Sequence, residues 1–297
     1  MANCLCSNTP TLPSLLTAAR LRFVKAILER VLTSDKGIPS NADRGSRASV
    51  EIASGILTRL GQEVQRERMA GQSSGHEFED ICADFLGSSF LRLVHLRPGR
   101  WEVVRPGDGT DQSVIISNFE QYAHLTALSV LAKKDRQLAA ALRSDYAIRP
   151  DIVILRHPEP DAVLNQMVDV VDDGSAQWTP LRQTNNPRLI LHASVSCKWT
   201  IRSDRAQNAR SEALNLIRNR KGRTPHIVVV TGEPLPSRIA SIALGTGDVD
   251  CVYHFALPEL IDTLKALDFE DAREMTDIMV EGKRLRDISD LPLDLTI

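Results

Sequence analysis

Leu189-Ile190-Leu191-His192-Ala193-Ser194-Val195-Ser196-Cys197-Lys198 is the stretch on which the reading of this chain turns. A run this apolar, with branched side chains and no helical spacing, reads as a buried strand, yet it ends on a lysine. Working outward, Ile152-Val153-Ile154-Leu155 is a second such strand, preceded by Pro150-Asp151, and Ile227-Val228-Val229-Val230 is a third. Residues 250–255 read as a fourth strand, and a helix over about 205–220 separates the strand ending at Lys198 from the third. Strands alternating with helices predict an α/β fold, a mixed central sheet with helices on both faces.

Upstream, apolar residues at helical spacing (Leu15, Leu16, Ala19, Phe23, Ile27, Val31) predict a helix over 15–32. Further helices are predicted over about 47–66, from about 76 onward with Phe78, Cys82, Phe85 and Leu86 on one face, and over 119–142. Residues 103–110 read as a strand and turn, 157–187 as irregular, and helical segments follow Pro258 and Glu270. The expectation is one domain over 1–297: mostly helical to 145, an α/β core over about 146–256, and a helical segment over 257–297.

No apolar stretch approaches the roughly 20 residues that span a bilayer, and the N-terminus lacks the pattern of a secretory signal. Five cysteines, an odd number without paired spacing, argue for reduced thiols and a cytoplasmic protein rather than a zinc site. The formal net charge of -2 excludes a globally basic protein that coats DNA. Between Lys198 and Arg223, however, eight basic residues face two acids. Such a stripe either grips a polyanion at one cleft or is a solvated helix face.

Buried charges are costly unless paired or bound to metal, so a carboxylate and an ammonium at strand edges ask for an explanation. Asp151 is a candidate ligand for Mg2+, a hard cation that takes carboxylate and water oxygens. Lys198 is a candidate to orient or deprotonate an attacking water, or to neutralise charge at a phosphate. The second acid expected two residues before Lys198 is replaced by Ser196. Glu212 on the following helix offers a substitute, and Glu79, beside Phe78, is a further acid. Each has an ordinary alternative: Asp after Pro forms turns, strand-end lysines reach solvent, and Glu pairs with Arg or favours a helix start. Arg202-Ser203-Asp204-Arg205 opens the basic helix. Ser203 or Asp204 is a natural N-cap, while two arginines at a helix tip also suit guanine O6 and N7, and Asp204 suits cytosine N4.

These strings together resemble the PD-(D/E)xK nuclease superfamily, and more closely the NgoMIV-type restriction endonucleases that read a CCGG core. The likeness spans about 71–255 and is strongest over 192–255. The group's rearranged motif carries Ser in place of the first acid and the acid on the next helix, as at Ser196 and Glu212. The resemblance implies a type II enzyme making Mg2+-dependent double-strand cuts at GCCGGC. It implies a catalytic set of Asp151, Lys198, Glu212, Ser196 and the additional acid Glu79. Metal ligands would be Asp151, Glu212, Glu79 and the backbone carbonyl of Cys197. Arg202, Asp204 and Arg205 would read the core, with Gln72, Arg238 and Asp43 at the outer base pairs. It further implies a homotetramer holding two sites on double-stranded DNA and a partner DNA methyltransferase. The alternatives are a nonspecific or structure-specific repair nuclease on the same core, and a DNA-binding protein without catalysis.

Overall fold

The computed structural model describes residues 12–61, 74–106, 116–134, 150–245 and 247–297, apart from a few helical side chains. Helix α1 (Leu15–Ala26) starts at Ser14, whose Oγ accepts from the Thr17 N–H, and a π-helical turn, Ile27–Val31, extends it. Strands β1 (Ser34–Asp35) and β2 (Ile38–Pro39) form a hairpin. Its two turn residues, Lys36 and Gly37, have φ of 52° and 78°, the mirror-image turn that matches strand twist. There follow α2 (Arg47–Arg59), α3 (Ser74–Ser89), β3 (Trp101–Val104), α4 (His124–Lys134), β4 (Ile152–Arg156) and β5 (Ile190–Lys198). After β5 come α5 (Ser203–Asn219), β6 (His226–Thr231), α6 (Pro236–Ala243), β7 (Cys251–His254), α7 (Leu257–Ala266), α8 (Glu270–Glu281), β8 (Leu285–Asp287) and α9 (Leu291–Asp294).

The described residues build a six-stranded sheet in the order β3-β4-β5-β6-β7-β8. β3, β4 and β5 pair antiparallel, whereas β5 through β8 pair parallel, each parallel step being made through helix. Successive side chains of a strand point to opposite faces, so the unbroken burial of Ile152 to Leu155 and of Ile227 to Thr231 means that both faces are covered. The apolar core runs from Ala19 to Leu295. Helix α2 packs on α7 closely enough that a Cβ on Gly55 would lie 2.4 Å from Thr263.

Three expectations need correction. The helix expected to reach residue 66 ends at Arg59, because Gly61 adopts φ of 72°, the left-handed stop that glycine permits. The helix expected over 119–142 begins at His124, preceded by two 3-10 turns. There the backbone is held by β5 instead: Gln121 Nε2 donates to Leu191 O (2.7 Å), Leu191 N to Gln121 Oε1 (3.0 Å), and Glu120 N to Leu189 O (2.9 Å). The C-terminal segment is not purely helical, since Leu285 and Asp287 turn inward as β8 beside β7.

Candidate active site

Asp151 directly precedes β4 and Lys198 closes β5. Because these strands are antiparallel and Ile152 faces Val195, the start of one and the end of the other meet at the same edge of the sheet. Asp151 Oδ2 accepts from Lys198 Nζ (2.9 Å), Cys197 N (2.7 Å) and Ser196 Oγ (3.4 Å). All three bonds fall on one oxygen, and Oδ1 is left without a partner among the described residues. Ser196 and Lys198 share a face of β5, while the Cys197 thiol points into the opposite layer. Burial, with Cys82 against it, pushes that thiol well above the usual range.

Helix α5 buries Ala209, Ala213 and Leu216, spaced four and three apart. Glu212 stands three residues after the first and four before the last, so it lies at the margin of the buried face, half-exposed. Its carboxyl is raised above the ordinary value by burial and by the charge on Asp151, with Lys198 pulling it back. Burial also lowers the affinity of Lys198 for its proton, but Asp151 and Glu212 outweigh this and hold it above an ordinary lysine. Lys198 is therefore an ammonium at neutral pH.

Among the described residues no three His, Cys, Asp or Glu side chains gather as a ready-made metal cage. Two carboxylates and a backbone carbonyl nonetheless suit Mg2+, which keeps most of its waters and takes one or two protein carboxylates. The unpartnered Oδ1 of Asp151 and a Glu212 with no hydrogen bond among the described residues fit that ion.

Glu79 is tied to Arg105. Its neighbour Phe78 is buried against Trp199, ring centroids 5.1 Å apart. Val104 faces Val153 in the β3–β4 register, which puts Arg105 at the Asp151 edge of the sheet. Arg105 Nη2 donates to Glu79 Oε2 (2.8 Å), and Arg105 Nη1 pairs with Asp80 Oδ1 (2.9 Å). Sequence reasoning missed Arg105; a basic residue just after a short strand was the available signal.

Next to Lys198 a groove of about 660 Å3 is lined by Asn41, Asp43, Ile201, Arg202, Ser237 and Arg238, among others. Three of the expected binding residues thus converge: Arg202 is exposed, and Arg238 forms an ion pair with Asp43. Arg238 foremost, then the Gly45 N–H, holds the Asp43 carboxyl below its ordinary value. Asp204 and Arg205 fall in the first turn of α5, though their side chains lie outside the described residues, as does all of Gln72. Glu233, also missed, holds two residues that line the groove, accepting from the Ile201 N–H and lying 3.8 Å from Arg238. It is fully buried, and burial pushes its carboxyl up to about 7 against the pull of the Ile201 and Leu235 N–H groups and Arg238. Its signal was available: like Asp151 and Lys198, it sits just off the end of an apolar strand.

A mixed sheet with a carboxylate and an ammonium meeting at its edge, beside a groove that holds paired charges, has the layout of a nuclease. The NgoMIV restriction enzyme family model matches residues 23–297, a wider span than the 71–255 over which the resemblance was expected. The type II restriction enzyme NgoMIV of Neisseria gonorrhoeae is 54% identical over 285 residues, 95% of this chain and 99% of that one. The restriction endonuclease PspGI, in its complex with substrate DNA, aligns over 95% of this chain and 90% of its own at a TM-score of 0.35 and 14% identity, too low to argue from. The protein is a restriction enzyme of type II. It belongs to the NgoMIV restriction enzyme family. Among the described residues no helix is long and apolar enough to cross a membrane.

Proposed function

We propose that this enzyme cuts both strands of DNA at a palindrome with a CCGG core, GCCGGC, using Mg2+ held by Asp151, Glu212 and the Cys197 carbonyl. The observation that carries this reading is the 2.9 Å contact of Lys198 with Asp151, with Glu212 close enough to hold Lys198 in its charged form. Bound Mg2+ supplies polarisation of the scissile phosphate and an acidified water. Lys198, held charged by its two acidic neighbours, orients the attacking water and offsets negative charge growing on the phosphate rather than taking a proton. Ser196 donates to Asp151 and keeps its carboxylate aimed. Glu79, held by Arg105 at the same edge, is an auxiliary acid within reach of a second ion.

Arg202, Asp204 and Arg205 open α5 and read the core bases from the major groove, as a helix tip does. Asp43 and Arg238, across the groove, address the outer base pair together with Gln72. The reading is of a PD-(D/E)xK enzyme forming one domain, cytoplasmic, accompanied by a methyltransferase that protects host DNA. A homotetramer holding two sites is supported by Met167, Val168, Val170 and Trp178, which are 93%, 66%, 57% and 92% exposed between β4 and β5. Exposed apolar side chains this close in sequence are available to an association surface.

The test is digestion of a plasmid bearing several GCCGGC sites with purified protein and Mg2+, without ATP. Discrete fragments ending at those sites support the reading. A smear points to a nonspecific nuclease, and cutting at other sequences removes the assigned target.

A further inference from the structure

Thr231, which ends β6, and the two residues after it touch Lys198 and the segments that line the groove. Thr231 Oγ1 donates to Lys198 O (2.7 Å) and accepts from Glu233 N (3.1 Å). Gly232 O accepts from Asn41 Nδ2 (2.8 Å), which ties down the loop carrying Asp43. Gly232 has no room for a side chain, since a Cβ there would lie 2.2 Å from the Trp199 ring. The Glu233 carboxylate accepts from Ile201 N (2.8 Å) and Leu235 N (3.2 Å), and its Oε1 lies 3.8 Å from Arg238 Nη1. His254 Nε2 donates to Glu233 O (3.1 Å), its tautomer fixed because Nδ1 accepts from Ala256 N (3.1 Å).

A wholly buried carboxylate costs stability, and an apolar residue would fill the same space without that cost. What the carboxyl group fixes here is specific. It holds the backbone one residue before Arg202, and it holds Arg238 between itself and Asp43. We propose that Glu233 is a positioning residue for sequence recognition, setting Arg202 and Arg238 against the DNA in register with Lys198. The proposal rests on the groove being the base-reading surface, as argued above.

The experiment measures kcat/KM for Glu233→Gln, Arg238→Ala and the double variant on GCCGGC and on sites altered at one outer base pair, with thermal unfolding and binding to unrelated DNA in parallel. A single base pair is commonly worth about 1–3 kcal/mol, so E233Q is expected to narrow discrimination about tenfold. Binding to unrelated DNA stays unchanged, and the double variant narrows discrimination no further than R238A alone. Equal losses on matched and altered sites, undiminished discrimination, or additive effects in the double variant would each overturn the proposal. Should E233Q fail to fold, Glu233→Asp, which keeps the charge but shortens its reach, is read by the same ratios. The wild type separates the two ideas. If it cuts without preference, the recognition reading falls and this proposal with it; discrete wild-type fragments with unaltered discrimination in E233Q sink the positioning role alone.

Discussion

Lys198 Nζ and Asp151 Oδ2 stand 2.9 Å apart across two antiparallel strands, where one begins and the other stops. Either charge alone would be stranded in a half-buried site. Replacing Lys198 by Ala is expected to lower cleavage at least about 100-fold, the scale of one lost charge-stabilising donor, while site-specific binding persists. Single-turnover digestion beside a gel shift checks this, and near-normal cutting by K198A would remove the lysine from the chemistry.

Cys197 offers its backbone, not its sulfur, under the proposed ligand set. Cys197→Ala should therefore keep wild-type cleavage while losing about 1–2 kcal/mol of stability to a small cavity beside Cys82. Loss of activity in a folded C197A would show that the thiol matters.

Glu79 and Arg105 form a half-buried pair at the same sheet edge. If Glu79 serves the site from where Arg105 holds it, R105A and E79A should each slow cleavage, and the double variant should be little slower than either. Independent, multiplying effects on kcat would mean that the two act separately.

Glu233 makes stability depend on pH. Its carboxyl is raised by burial to about 7, so its favourable contribution is complete below the ordinary carboxylate value and is lost as pH rises through about 7. Glu233→Gln does not titrate and should gain on the wild type between pH 5 and pH 8, by at most about 3 kcal/mol. Parallel unfolding curves for the two proteins across that range would refute the shift.

Gly232→Ala forces a methyl into the Trp199 ring. Overpacking of this kind costs about 1–3 kcal/mol, and displacement of Trp199 should also disturb Lys198, its neighbour in sequence. Thermal unfolding and kcat measured together test the link; a destabilised G232A with unaltered kcat would break it.

Much of this was legible in the sequence because apolar strands tolerate charge only at their ends. Asp151 and Lys198 stood out for that reason, and Glu212 as the acid on the helix that follows Lys198. The same rule, applied to Ile227–Val230, would have exposed Glu233 as well. What sequence pattern did not carry was tertiary competition. Gln121 breaks an apparent helix because β5 takes its amide, and Arg105 meets Glu79 only through the β3–β4 register. Leu285-Arg286-Asp287 is too short to declare itself as a strand until β7 lies beside it.

Residues 199–201 are bolted at both ends, at Lys198 O by Thr231 and at Ile201 N by Glu233. Residues 157–189 instead join β4 to β5 at the far end of the sheet, away from Asp151. For anyone re-engineering this scaffold, the first stretch is a spacer of fixed length, intolerant of insertion or deletion. The second is where added sequence, tags or grafted loops leave the distance between Asp151 and Lys198 undisturbed.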